Sequence, residues 1–495
     1  MKKTIALFAF GALLASCSDD EDSITEPMEP TPVVYTSGTA DFTKYVSVGN
    51  SLTAGYSDSA LFTDGQTASF TNMLAGNFAL AGGGDFNIPL MSDNLGGLTL
   101  GGEPLDGFGN RLILSFITGS PNPVPVNGQG TTEITNVISG PFNNMGVPGA
   151  KSFHLGVQGY GNVQALPNAN PYFIRMASSP NATVIGDAVS QNPTFFSLWI
   201  GNNDILGYAT SGGAGEDHNE TNNFDPTTYG SNDITNTNVF ASVYNGLLEA
   251  LTANDAGGVL VNIPDVTTIP YFTTVPFNPV PLDAATADQV NSGYALYNGG
   301  VENYRLAGLI SDDDAAARTI TFAEGLNAVV IVDEFLIELP GLPKYRQTTA
   351  SDLMVLTARS FIGTLADPSN PASVNGIGVP LADNWVLTPQ EQEDVAIATE
   401  GYNAVIANMA IQYDLPLVDA NTFLTSVAIS GVTLSDGSNV TATYGTGGAF
   451  SLDGVHPSPR GYSLIANEFV KQINTKYGSN LPGVDPLDYK GLYIN

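Results

Sequence analysis

The strongest constraint on how this chain can fold is a pair of strand-length apolar runs with a helical stretch between them. Residues 194–200 (TFFSLWI) and 257–263 (GGVLVNI) lack the alternation of a strand that keeps one face in water. Strands of that kind are buried on both faces, as in a parallel sheet covered by helices. Residues 239–253 between them read as a helix. The alternation therefore predicts an α/β fold with helices on both sides of a central parallel sheet, a three-layer α/β/α sandwich.

Other segments supply further layers. Residues 45–48 (YVSV) read as a short strand. From Gln66 onward, Phe70, Met73, Leu74, Phe78 and Ala81 form one apolar helical face that Gly82-Gly83-Gly84 stops. Thr388 to Glu391 is a capping box with Pro389 at the first helical position. The helix it opens has Val395, Ala398, Tyr402, Val405 and Met409 as its buried stripe. Residues 415–418 read as the last core strand. A final helix starts near Ser458-Pro459, with Tyr462, Ile465, Phe469 and Ile473 facing inward. Two segments break the alternation. Residues 82–140, rich in Gly and Pro, read as an insertion of loops and small strands. Residues 266–387 read as a second insertion or subdomain, with a helix near 285–304 and strand-like runs at 328–332 and 353–356.

The N-terminus predicts an address. Met1-Lys2-Lys3 is a positive start, and residues 4–16 are apolar but too short to span a bilayer. Leu14-Ala15-Ser16-Cys17 looks like a bacterial lipobox, so residues 1–16 are expected to be a lipoprotein signal peptide and Cys17 the lipidation site. Residues 17–38 read as an acidic, Pro- and Thr-rich tether, and Ser18 to Asp22 resembles an acidic tag for display on the outer surface. The expected location is the outer membrane, reached through the lipid anchor and exposed at the cell surface. Cys17 is the only cysteine, so no internal disulfide can form. Lys+Arg is 15 against Asp+Glu 48, a formal net charge of −33. Such a surface repels nucleic acid, which is excluded as a partner.

Chemistry is expected at Val48 to Tyr56 (VGNSLTAGY), where Ser51 follows a strand and a Gly49-Asn50 turn. A serine at a strand-to-helix turn is exposed and sits near backbone N–H groups that favour negative charge. It needs a base and an orienting acid. Of the three histidines, His218 lies in a polar acidic loop and reads as solvated, and His154 reads as structural. His456 has Asp453 three residues before it, a spacing that lets a carboxylate reach one imidazole nitrogen in a tight turn.

Taken in order, Gly49-Asn50-Ser51-Leu52, Asn144 to Gly149, Gly201-Asn202-Asn203-Asp204 and Asp453-Gly454-Val455-His456 resemble the blocks of the GDSL, or SGNH, hydrolase family. The resemblance covers about residues 44–81, 141–207, 239–265 and 388–477, and each block is expected at the C-terminal end of a strand. It implies a flavodoxin-like sheet within a hydrolase domain spanning residues 39–480, followed by a C-terminal tail at 481–495. It also implies Ser51 as nucleophile, His456 as base, Asp453 as orienting acid, and an oxyanion hole of the Ser51 and Gly149 N–H groups with the Asn203 amide. Gly146 is the less favoured glycine of its block. The implied activity is carboxylic ester hydrolysis through an acyl-serine, with no metal or cofactor. The substrate is an acyl ester, either a lipid or an acylated glycan; removal of acetyl groups from polysaccharide is the alternative activity, and a non-catalytic surface binding lipoprotein a third reading. Asn50 stands where the family usually has Asp, and nothing in the resemblance accounts for the two insertions. The Asp312-Asp313-Asp314 run lacks a calcium-loop spacing and reads as solvated surface.

Overall fold

The computed structural model describes residues 33–117 and 119–494. The predicted signal peptide, Cys17 and the tether through residue 32 lie outside the described residues.

Five strands form the central sheet: β1 (Tyr45–Gly49), β2 (Asn144–Gly146), β3 (Phe195–Trp199), β4 (Gly257–Val261) and β5 (Leu417–Val418). They lie in the order β2-β1-β3-β4-β5, and every neighbouring pair is parallel. The chain steps to one side of β1 for β2 and to the other side for β3 to β5. That reversal opens a crevice beyond the C-terminal ends of β1 and β3, the place where open α/β sheets bind ligands.

The helices that matter here are α1 (Ser51–Ala54), α2 (Phe70–Leu80), α3 (Asn203–Thr210), α4 (Thr237–Thr252), α5 (Ala284–Leu306), α6 (Pro389–Gln412) and α7 (Pro459–Tyr477). Alternate strand residues enter two different cores. Val46, Val48, Phe196, Leu198 and Leu260 pack with residues of α3, α4 and α6. Tyr45, Phe195, Trp199, Val259 and Val261 pack with α2 and α7. Every residue of β1 and of β3 is buried, which is why these segments are apolar apart from the small Ser47 and Ser197.

Local chemistry sets the helix ends. The helix expected from Gln66 starts instead at Phe70, because the Ser69 hydroxyl accepts from the Asn72 N–H (3.3 Å) and caps it there. A separate turn, Thr63–Thr67, precedes it. At the start of α6 the Glu391 carboxylate accepts from the Thr388 N–H at 2.6 Å. The helix after Ser51 is a single turn, ended by Gly55 at φ +81°. It is too short for the helix dipole expected at this serine to be large.

The first insertion does consist of small strands, including the hairpin Leu112–Ser115 with Asn122–Pro125. The second is not a separate subdomain. Its Tyr294, Val301, Val330, Met354 and Val355 lie in the same core as Phe196 and Leu198. Asp312 to Asp314 form the first turn of a short helix capped by Ser311. One compact unit starts at Tyr35, earlier than the tether boundary expected at residue 38. The Thr36 N–H donates to the Asn480 side chain (2.6 Å) and the Thr39 N–H to the Tyr477 carbonyl (2.8 Å). At the other end, Tyr493 packs edge-on against Phe62. Among the described residues no helix is long and apolar enough to cross a membrane.

Candidate active site

Ser51 opens the single turn that follows β1 and is 6% exposed. Its position depends on Gly49, where a Cβ would meet the Trp199 carbonyl oxygen at 2.3 Å and the Thr53 hydroxyl at 2.2 Å. Asn50 caps the turn by accepting from the Leu52 N–H (3.0 Å), and its Nδ2 donates to Asn202 Oδ1 (3.1 Å). An aspartate at 50 could make the first bond but not the second. The two strand-end loops after β1 and β3 are thus joined by an amide pair.

His456 Nε2 lies 2.9 Å from the Ser51 hydroxyl, and His456 Nδ1 lies 2.9 Å from Asp453 Oδ2. The three-residue spacing works because Asp453 Oδ1 accepts from the backbone N–H groups of Val455 and His456, both at 2.8 Å. Gly454 between them takes φ +74°. Burial alone would raise the Asp453 pKa. The His456 ring and the N–H donors outweigh it and hold the carboxyl at about 2. Asp453 is therefore an anion aimed at the imidazole, which fixes Nδ1–H as donor and leaves Nε2 facing the serine. This loop does not end a sheet strand, contrary to the expectation for the fourth block. The helix Ala420–Ile429 and a small hairpin, Val432–Thr433 with Asn439–Val440, intervene between β5 and Asp453.

The other two expected oxyanion donors lie on two further loops, which the Asn203 amide joins by its bond to Ala150. Gly149 follows β2 at φ +80°, a conformation that favours glycine, and the space where a Cβ would stand is open. Gly146, by contrast, lies under α1, where a Cβ would be 2.3 Å from the Ala54 nitrogen. Its lack of a side chain is needed for that close packing. Among the described residues neither the Ser51 nor the Gly149 N–H meets an acceptor. Asn203, the first residue of α3, donates from Nδ2 to the Ala150 carbonyl (2.9 Å), leaving its second amide hydrogen available.

Several supporting residues were not assigned from the sequence. Asp204 is fully buried and accepts from the Ser152 N–H (2.8 Å) and hydroxyl (2.7 Å), which ties the Gly149 loop to the Asn203 loop. Asp58 and Ser59 both take positive φ, 51° and 64°. That double strain is held by the Asp58 N–H donating to Ser451 (2.9 Å), by the Leu452 N–H donating to the Asp58 carboxyl (2.9 Å), and by the Ser59 N–H donating to Asp453 Oδ2 (3.0 Å). Burial pushes the Asp58 carboxyl up to about 7. The one available signal was the pair of non-glycine turn residues directly after the Ser51 block.

The other histidines lie apart from this relay. His154 accepts at Nδ1 from the Lys151 N–H (3.0 Å) and stacks on Tyr160. Burial, with the Lys151 charge adding to it, pushes its pKa down to about 4. His218 is not solvated as expected. It is 1% exposed, stacked on Tyr229, with Nε2 2.8 Å from Asp233 and Nδ1 3.1 Å from Thr221. Most of the loop around it is exposed, and the ring is buried by its stacking on Tyr229 and its bonds to the loop's own Asp233 and Thr221.

Two spaces adjoin the relay. A cleft of about 750 Å³ runs past Tyr56, Asp453 and His456. Both insertions wall it, the first through Leu112, Asn122 and Pro123, the second through Tyr271, Leu356 and Arg359. A recess of about 50 Å³, which shares His456 with the cleft, is bounded by Ser51, Asn203, Val266, Ile269, Leu424 and Phe450. No group of three or more side chains suited to hold a metal ion is gathered among the described residues. No family model, no curated protein and no solved structure matches the chain.

Proposed function

We propose that this chain is a serine hydrolase of the GDSL/SGNH kind that cleaves carboxylic esters through an acyl-serine. The observation that carries the reading is the unbroken hydrogen-bonded line from Asp453 through His456 to Ser51. His456 Nε2 takes the hydroxyl proton as the Ser51 oxygen attacks the ester carbonyl carbon. The oxygen of that carbonyl becomes an anion facing the N–H groups of Ser51 and Gly149 and the free hydrogen of Asn203 Nδ2. Collapse breaks the bond to the alcohol oxygen, which leaves with the proton from His456. Water then gives a proton to His456 and attacks the acyl-serine, releasing the carboxylic acid and restoring the serine hydroxyl.

The small recess beside Ser51 favours a short acyl group, so removal of acetyl groups from a glycan is the second reading that an observation supports. The lipobox ending at Cys17 supports an outer-surface lipoprotein as the setting.

Exposure to a fluorophosphonate probe tests the chemistry. The wild-type chain is expected to become covalently labelled and to release nitrophenol from 4-nitrophenyl acetate, and Ser51→Ala is expected to do neither. Equal turnover by Ser51→Ala, or a wild-type chain inert to both reagents, overturns the proposal.

A further inference from the structure

Arg359 is the arginine in this chain that nothing occupies. Among the described residues every other arginine places its guanidinium in hydrogen bonds: Arg111, Arg175, Arg318 and Arg460 to carbonyl oxygens, Arg305 and Arg346 to carboxylates. The Arg359 guanidinium makes none and is exposed. Its backbone is nevertheless firmly placed. Ala358 beside it is fully buried, its N–H bonded to the Val355 carbonyl (3.0 Å), and Phe361 stacks on Trp385 with ring centroids 4.3 Å apart.

This free cation lines the catalytic cleft together with Asp453 and His456. Arg359 and Tyr444 also line a second cleft of about 640 Å³, whose wall includes Thr267, Thr268, Thr273, Thr274 and Thr443. A path therefore leads from the relay, past Arg359, into a trough rich in hydroxyl groups. The reaction's geometry says which part of an ester lies there. His456, which protonates the departing alcohol, borders both spaces, but only the narrow recess also meets Ser51 and Asn203, so the recess takes the acyl group and the wide cleft the alcohol. In a chain with 15 basic and 48 acidic residues, Arg359 is the lone Lys or Arg along either cleft. A neutral alcohol gains a single charge-assisted hydrogen bond from an unpaired guanidinium but no ion pair. A carboxylate gains a charge-assisted, two-pronged pair of hydrogen bonds.

We infer that Arg359 is the specificity-determining residue of this cleft and that the ester's alcohol part is an acidic, hydroxyl-rich polymer, a short-acylated polyuronate whose carboxylate pairs with the guanidinium. The inference rests on the ester-hydrolase reading above for which side of the serine is which. An anionic phospholipid would satisfy the charge, but its fatty acyl chain has no room in a recess of about 50 Å³.

The test uses partly O-acetylated alginate, and the same polymer with its carboxylates capped as methyl esters. Acetate release by the wild-type chain is expected to show a KM about tenfold lower for the free-acid polymer, an advantage that weakens with added salt. In Arg359→Gln the ratio of the two KM values is expected to fall towards one. Binding is then measured calorimetrically in the Ser51→Ala background, where turnover plays no part. Ser51→Ala is expected to bind the free-acid polymer about tenfold more tightly than the Ser51→Ala/Arg359→Gln double variant. Equal binding by those two proteins, or a KM ratio unchanged by Arg359→Gln, overturns the inference even if the hydrolase is active. Arg359-dependent binding in a chain whose wild type releases no acetate keeps the anion site and overturns the hydrolytic reading instead. Tighter Arg359-dependent binding to phosphatidylglycerol vesicles than to the polymer overturns the assignment to a glycan.

Discussion

At the scale of single residues, the relay depends on a carboxylate that is cheap to ionise lying near one that is expensive to ionise. Asp453 is held at about 2 by His456 and by N–H donors, against the pull of burial. Asp58, one hydrogen bond away through the Leu452 backbone, lacks enough donors to offset its burial and titrates at about 7. Unfolded, the Asp58 carboxyl ionises near 3.8. Between about 4 and about 7 the folded chain therefore keeps a proton that the unfolded chain has released, and folding stability falls as pH rises through that window. Asp453 works in the opposite sense and elsewhere: its contribution is present above about 4 and is lost as pH falls towards 2. Asp58→Asn keeps an acceptor for the Leu452 N–H and removes the titration. Its Tm is expected to exceed that of the wild type at pH 8 and to approach it at pH 4.5. Parallel Tm curves for the two proteins across that range would show that Asp58 does not titrate there. The sequence made Ser51, His456 and Asp453 legible, because so few histidines were available and one had an acid at turn spacing. Asp58 and Asp204 were not legible, since their roles come from backbone N–H groups far along the chain.

At the scale of elements, the sheet was the most readable part. Strands buried on both faces carry few polar side chains, and the runs at 194–200 and 257–263 fit that pattern and no other. Polar loops were harder. The loop that carries His218 reads as solvated from composition, yet it buries that ring through bonds among its own side chains. The turn that carries Asp453 and His456 likewise depends on elements distant in sequence. The Tyr271 N–H donates to the Gly454 carbonyl (2.9 Å), and a Cβ on Gly454 would sit 2.9 Å from the Leu356 side chain and 3.0 Å from the Tyr271 nitrogen. Gly454→Ala must meet both that crowding and a φ of +74°. Strain of this kind costs about 1–3 kcal/mol, and relieving it moves the loop off the serine. The variant is expected to remain folded with a lower Tm and to lose kcat more than it gains KM. Wild-type kcat with a lowered Tm would show that the loop absorbs the strain without moving the relay.

At the scale of the whole molecule, the insertions belong to the fold around Ser51 and are not additions to its surface. Residues 266–387 share the core of the sheet and also supply Val266 and Ile269 to the recess beside Ser51. Sequence patterning could place this segment outside the alternation of strands and helices but could not say where it returns, because it pairs its own short strands, such as Val280–Leu282 with Gly325–Asn327, and meets the sheet only through side-chain packing in the shared core. Its return has a measurable consequence for substrate choice. A recess of about 50 Å³ holds only a few non-hydrogen atoms, so an acyl chain beyond about four carbons must displace packed side chains or stay in water. Each methylene gained or lost in such a pocket is worth about 1–3 kcal/mol. Across 4-nitrophenyl acetate, butanoate and octanoate, kcat/KM is expected to drop by about tenfold or more between butanoate and octanoate. Val266→Ala enlarges the recess from the insertion side and is expected to shift that drop to longer chains while leaving Ser51 reactive towards a fluorophosphonate. An octanoate preference in the wild type, or a profile that Val266→Ala does not move, would mean that the acyl group lies in the large cleft and that the two sides of the serine are reversed.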